Sequence, residues 1–254
     1  RKESSAASDV YKRQMYYMNP PAKDLSKIAS SDKVKKVQKD FEATHVRPER
    51  LMKTLFTDEA YVKANVDEAR LMRRLFDLAC NMQSHDTDMQ LYSLFTDEEC
   101  YDLWSCNNLY WYLTHACSPV TDGLMPYREA DLLRNILDRA DAALKEGKNQ
   151  ATLRFGHESC LLPLVALLEL NHYGESYPDV EKLSEQWRAY DIFPMASNVQ
   201  FVFFHKKGSN DVLVKVLLNE KEAKLPVKTD VAPYYHWKDV ESYYREKLDK
   251  YQHI

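Results

Sequence analysis

No stretch of eighteen consecutive apolar residues occurs in the chain. Its longest apolar patch, Leu161 to Leu170, is interrupted by Pro163 and Glu169 and falls short of the roughly 20 residues a helix needs to cross a bilayer. No membrane span is therefore expected. An excess of positive charge is also missing: 35 Lys and Arg stand against 39 Asp and Glu, for a net charge of -4. Interspersed signs argue against nonspecific nucleic-acid binding, which needs clustered cations, but they permit a local basic pocket that holds a small polyanion. The five cysteines, Cys80, Cys100, Cys106, Cys117 and Cys160, form no Cys-x-x-Cys pair and have no histidine at zinc-finger spacing. That excludes the common zinc motifs and leaves no metal site expected. An odd count leaves at least one thiol free while one or two disulfides stay compatible, so the cysteines do not fix a compartment. What is present, 44% hydrophobic and 29% charged residues over 254 positions, is the mixture of a globular protein with one substantial core or two modest ones.

Residues 1–14, RKESSAASDVYKRQ, carry neither helical nor strand periodicity and read as a non-native adapter or a disordered arm ahead of a truncated reading frame. Residues 15–148 read as a mostly helical domain. Asn65 followed by Glu68 has the form of a capping box, with Leu71, Leu75, Leu78 and Met82 behind it at helical spacing. Thr96 with Glu99 is a second helix start, whose Leu103, Trp104, Tyr110 and Trp111 read as core. A third helix is expected to open near Pro126, to present Leu133, Ile136, Leu137, Ala140 and Leu144 on one face, and to stop at Gly147.

Residues 149–254 change character. ATLRF reads as a short strand, LLPLVALLEL as a buried helix, NVQFVFFHKK and DVLVKVLL as strands joined by the turn KKGSND, and HWKDVESYYREKLDKY as a terminal helix. A helical block followed by strand, helix, two strands and a helix indicates an α/β fold with a mostly helical domain attached.

The segment that carries chemistry is ATLRFGHESCLLPLVALLEL, residues 151–170. Gly156 follows the expected strand, and His157 and Glu158 fall where the helix begins. Ligands bind at that edge of an open α/β sheet, and a helix N-terminus offers backbone N–H groups to an anion. The bland alternatives are a strand-end histidine satisfied by carbonyls and a carboxylate stabilised by the helix dipole. Arg154, one step out of phase with His157, is left off the site. His85-Asp86 forms a similar dipeptide without strand, glycine or following helix, and reads as a helix end or loop. Lys206-Lys207 reads as a solvated turn, and Lys33, Lys35, Lys36 and Lys39 as a solvated helix face.

This segment resembles the second signature of the histidine acid phosphatases, branch 2 of the histidine phosphatase superfamily. FPMASNVQFVFF (with Pro194, Ala196, Ser197 and Asn198), KTDVAPYYHWKDVESYY and HVRPERLMKTLFTD are similar to its inositol polyphosphate phosphatase members. The resemblance covers roughly residues 15–254 and implies the closing part of the phosphatase α/β domain plus a helical domain. It implies a phosphomonoesterase acting on inositol polyphosphates such as phytate through a phosphohistidine, with a small phosphate ester as its ligand and no cofactor. His157 would bind substrate by donating to a nonbridging phosphate oxygen. Glu158 would protonate the leaving alkoxide, since a carboxyl beside a bound phosphate is expected to hold its proton.

Two departures qualify the resemblance. The family's first signature, Arg-His-Gly-x-Arg-x-Pro, carries the nucleophilic histidine, and this chain has no Arg-His or His-Gly pair. The nucleophile is expected upstream, and these residues alone are expected to be inactive. The second signature usually reads His-Asp or His-Ala-Glu, where this chain has His157-Glu158-Ser159. A noncatalytic phosphate-ligand binder and a sugar-phosphate phosphatase are the alternative functions. Family members are commonly exported, which implies a periplasmic or secreted location; the oligomeric state cannot be read.

Overall fold

A computed structural model describes residues 20–148 and 150–251; the expectation for residues 1–14 lies outside them. The described chain forms two compact units, one made of residues 35–110 and the other of the residues before 35 together with those from Trp111 onward. The sequence boundary at 148/149 follows a change of composition, whereas compactness divides the chain at 34/35 and 110/111.

The 35–110 unit is helical. It holds most of α2 (Asp32–His45; α1 is Pro20–Ala29), then α3 (Glu49–Leu55), α4 (Glu59–Asn65), α5 (Glu68–Asn81) and the first part of α6 (Asp97–His115). Its core gathers Val46, Leu51, Met52, Val62, Met72, Ala79, Phe95 and Leu103. Helix α5 does not start at the expected box. Asp67 caps it, its carboxylate accepting from Arg70 N at 3.1 Å, while the Asn65 amide closes α4 onto Tyr61 O at 2.9 Å. A carboxylate beside the positive end of a helix is a strong cap, and Asp67 holds that place. The buried stripe of α5 is accordingly Met72 and Ala79, with Leu78 53% exposed. The second box does form: Thr96 N donates to Glu99 at 2.9 Å and Glu99 N to Thr96 Oγ1 at 3.2 Å. Arg47 donates to Glu98 and Asp102 at 2.7 Å each, and Arg50 to Glu99 at 2.7 and 2.5 Å and to Leu94 O at 2.7 Å, which fastens HVRPER onto α6.

The other unit is built around α8 (Glu158–Leu167), in which every residue from Leu162 to Leu167 is buried. Leu133 and Leu137 of α7 (Ala130–Glu146) join this core, along with Trp187, Val214, Val216, Val240 and Tyr244. Pro126 lies in a 3-10 turn, Met125–Glu129, that packs against α8 before α7 begins at Ala130; Gly147 ends α7 in the left-handed region at φ 65°. Of the aromatics assigned to the core of α6, Tyr110 is 45% exposed, and the buried hydrophobic positions are Leu103, Leu109, Tyr112 and Leu113. After the short helices α9 (Leu183–Gln186) and α10 (Ala189–Ile192), β1 (Val199–His205) pairs antiparallel with β2 (Val212–Leu218). The register sets Val199 opposite Leu218 and His205 opposite Val212, as the turn residues predict, with Gly208 at φ 81°. Two short strands, β3 (Lys221–Glu222) and β4 (Tyr235–His236), also pair with β2, and α11 (Trp237–Tyr251) closes the described chain. The architecture is thus mixed helix and sheet. All five cysteines are free thiols.

Candidate active site

The residues before α8 correct one expectation: ATLRF is not a strand. Residues 151–157 have no regular secondary structure, and the sheet is formed by β1 to β4. A strand needs a partner ladder for its N–H and C=O groups, and this segment is in no ladder with β1 to β4. Leu153 and Phe155 are 70% and 77% exposed. Gly156 is not in the left-handed region, so backbone strain does not demand glycine there. Arg154 is engaged elsewhere, donating to Asn135 of α7 at 2.8 Å.

His157 is the N-cap of α8, with extended backbone at φ -116° and ψ 164°, and Glu158 is the first helical residue. The His157 carbonyl accepts from Cys160 N at 3.0 Å and Leu161 N at 3.1 Å, which starts the helix, while its imidazole makes no capping bond. Both side chains are exposed. The first backbone N–H groups of a helix have no intrahelical acceptor and form its positive end. An imidazole and a carboxyl beside that end can together donate to an anion and exchange a proton with it. The two expected site residues are thus adjacent at the mouth of a buried helix. His85-Asp86, in contrast, follows the 3-10 turn Met82–Ser84 and continues into irregular chain.

Beneath the first turn of α8 lies a group of titratable side chains that the sequence did not single out. Glu129, at the end of the 3-10 turn packed on α8, is 1% exposed and its Oε1 has no hydrogen-bond partner among the described residues. Burial pushes its carboxyl up to about 9, against the opposing effect of Arg128. His115, 6% exposed, is pushed down to about 3 by burial and then by Arg128, so it is a neutral imidazole. Burial likewise holds the Cys160 thiol protonated, pushed up to about 12, and the charge of Glu129 is felt there. The sequence reading used only Pro126 from this stretch and took no signal from Arg128, Glu129 or His115.

A cavity of about 570 Å³ lies at the other end of α8, lined by Leu167, Glu169, Cys117, Tyr127, Gly174 and Lys247 among others, and not by His157 or Glu158. Two of its three charged groups pair, Lys247 meeting Glu169 at 3.1 Å, and Tyr243 donates to Glu169 at 2.5 Å; the third is Asp122.

Residues 3–219 match the family described as the histidine phosphatase superfamily (branch 2). The chain belongs to that family. It is 28% identical over 134 residues to the human multiple inositol polyphosphate phosphatase 1, a match covering 48% of this chain and 27% of that protein. Among solved structures, the multiple inositol polyphosphate phosphatase of Bifidobacterium longum in complex with phosphate superposes with a TM-score of 0.61 at 19% identity, over 92% of this chain and 57% of that one. Its complex with inositol hexasulfate gives 0.56, also at 19% identity, over 86% and 53%. These likenesses support the fold, and the chain spans about a quarter to a little over half the length of these histidine phosphatases.

Proposed function

We propose that this chain is part of a phosphomonoesterase that hydrolyses inositol polyphosphates through a phosphohistidine, with the nucleophile supplied by sequence outside these residues. The observation that carries this reading is the placement of His157 and Glu158 as N-cap and first residue of α8 in a chain of the histidine phosphatase family. The relatives named for inositol polyphosphates, one of them bound to inositol hexasulfate, favour that substrate class over sugar phosphates.

In this mechanism a histidine nitrogen forms a bond to phosphorus as the bond from phosphorus to the ester oxygen breaks. His157 donates to a nonbridging oxygen and, with the positive end of α8, stabilises the charge that gathers there. Glu158 gives its proton to the departing alkoxide, so the product leaves as a neutral alcohol, and then accepts a proton from the water that hydrolyses the phosphohistidine. The exposure of both side chains gives a highly charged, solvated substrate direct access.

The test uses the full-length enzyme and two substrates, one with an alkyl and one with an activated aryl leaving group. Glu158→Gln keeps size and polarity but removes the proton, and should lower kcat for the alkyl phosphate by roughly 10²–10⁴-fold. The aryl phosphate, whose leaving group needs little protonation, should be slowed much less. Equal slowing of both substrates, or of neither, would sink the general-acid assignment. The present residues, purified alone, should show no turnover, because the covalent route needs the nucleophile.

A further inference from the structure

Strand β4 pairs with β2 so that His236 stands opposite Leu213, two residues beyond Asp211 in the β1–β2 connection. Its Nδ1 lies 3.0 Å from both carboxylate oxygens of Asp211, and its Nε2 lies 3.0 Å from Oδ1 of Asp230. An ionised carboxylate only accepts, and a neutral imidazole has a single N–H. Only the imidazolium, with both nitrogens protonated, can donate to both partners at once. The contacts join the β1–β2 connection, the 225–234 loop and the strand that leads directly into α11. Between Thr229 and Tyr234 the loop's own bonds are local: Thr229 Oγ1 donates to Tyr234 O at 2.7 Å, Val231 N to Thr229 Oγ1 at 3.2 Å, and Tyr234 N to Val231 O at 3.0 Å.

We propose that Asp211, His236 and Asp230 form a protonation-operated clasp that holds the 225–234 loop against the β1–β2 connection and releases it when the imidazolium loses its proton. The two carboxylates raise the pKa of His236, Asp211 first and Asp230 second, and His236 in turn holds Asp230 below the usual carboxylate range. Lys206 and Lys207 of the β1–β2 connection, Lys228 of the loop, and Lys238 and Asp239 at the start of α11 are exposed, and the remaining groups have partners of their own. On β2, Lys215 pairs with Glu222 of β3 at 3.0 Å and sits over the Tyr234 ring. On β1, His205 Nε2 faces Ser209 O at 2.8 Å. The Tyr235 hydroxyl accepts from Leu225 N at 3.0 Å, and Trp237 of α11 donates to Asp141 at 2.9 Å. Because the folded pKa of His236 is raised, the clasp is fully closed below about 6.5, the value of an unperturbed histidine, and is lost as pH rises through its higher folded value. Exposed ion pairs move global stability little, so the signal to read is local.

The experiment follows the His236 ring by NMR from pH 5 to 9, with amide exchange at Val231 and Tyr234 in parallel. The native ring should titrate above about 6.5, and Asp211→Asn with Asp230→Asn should return it to that value. Below pH 6, His236→Gln should exchange at Val231 and Tyr234 faster than the native chain. A native ring that titrates at 6.5 or below would overturn the proposal, as would a double variant that leaves the titration unchanged. Equal loop exchange in the His236→Gln and native chains below pH 6 would do so too.

Discussion

The two ends of α8 are built differently. At the C-terminal end the last carbonyls are taken up by distant side chains: the Tyr244 hydroxyl donates to Leu168 O at 2.8 Å and Lys247 donates to Leu167 O at 2.7 Å. Glu169, beside them, is held by Lys247 and Tyr243. At the N-terminal end the capping side chain makes no bond to the helix, His157 and Glu158 are exposed, and the chain leading in is irregular with Leu153 and Phe155 exposed. Four carbonyls and four N–H groups are left over in any helix, and each must find a partner. This chain supplies partners from its own tertiary structure at one end, which stabilises the fold. At the other end, where the proposed chemistry sits, the N-cap side chain contributes no bond to the helix.

The comparison can be tested from its largest expected effect downward. Leu162, fully buried near the middle of α8, bears on both ends. Leu162→Ala should cost roughly 2–5 kcal/mol in urea unfolding from lost transfer energy and the cavity left behind. A loss under 1 kcal/mol would mean that α8 is not the centre of its unit. At the closed end, Tyr244→Phe removes the donor to Leu168 O from a buried site and should cost about 1–3 kcal/mol.

Glu129, beneath the open end, gives a pH-dependent test. The folded state holds a proton up to about pH 9 that the unfolded chain gives up near 4.5. The native state is therefore favoured below the lower value and loses that advantage as pH rises toward the upper one. Glu129→Gln should flatten this loss and gain on the order of 1–3 kcal/mol at pH 8 relative to pH 5, well short of the full 1.4 kcal/mol per unit. A variant whose stability runs parallel to the native chain from pH 5 to pH 8 would show that the carboxyl is already ionised.

The smallest stability effect belongs to the open end itself. His157→Ala should change the unfolding free energy by under about 0.5 kcal/mol, as exposed substitutions do. In the full-length enzyme the same change should slow alkyl and aryl phosphates alike by roughly 10²–10³-fold. His85→Ala should leave both turnover and stability near native. If His157→Ala instead destabilised the fold as much as Tyr244→Phe, the contrast between the two ends would collapse.

Legibility followed the range of the interaction concerned. The hairpin of β1 and β2, the buried helix over LLPLVAL, the Thr96-Glu99 box and the stop at Gly147 were read correctly, because turn chemistry, capping and apolar runs act over a few residues. The Asn65 box failed because two polar residues competed for one cap, and the nearer acceptor, Asp67, won. Of the aromatics assigned to the core, Trp104 and Trp111 are half-buried and Tyr110 is exposed; α6 is apolar on more than one side, so periodicity could not select its buried face. His157 and Glu158 stood out by motif and position, whereas Arg128, Glu129 and His115 did not, since nothing in their spacing relates them to α8.

By itself the sequence determined the family, the mixture of helix and sheet, the local elements of the 199–251 region and the place of the His-Glu pair ahead of a buried helix. These rest on residue type and on short-range backbone preferences, which the chain carries wherever it goes. Only the tertiary structure decided that ATLRF lies outside the sheet of β1 to β4, since a strand exists only where another backbone completes its ladder. It also decided that Glu129 is buried without a partner for Oε1 and that His236 meets two carboxylates from opposite directions. Burial and charge pairing are properties of space, and the two carboxylates that meet His236 lie 25 and 6 positions from it along the chain.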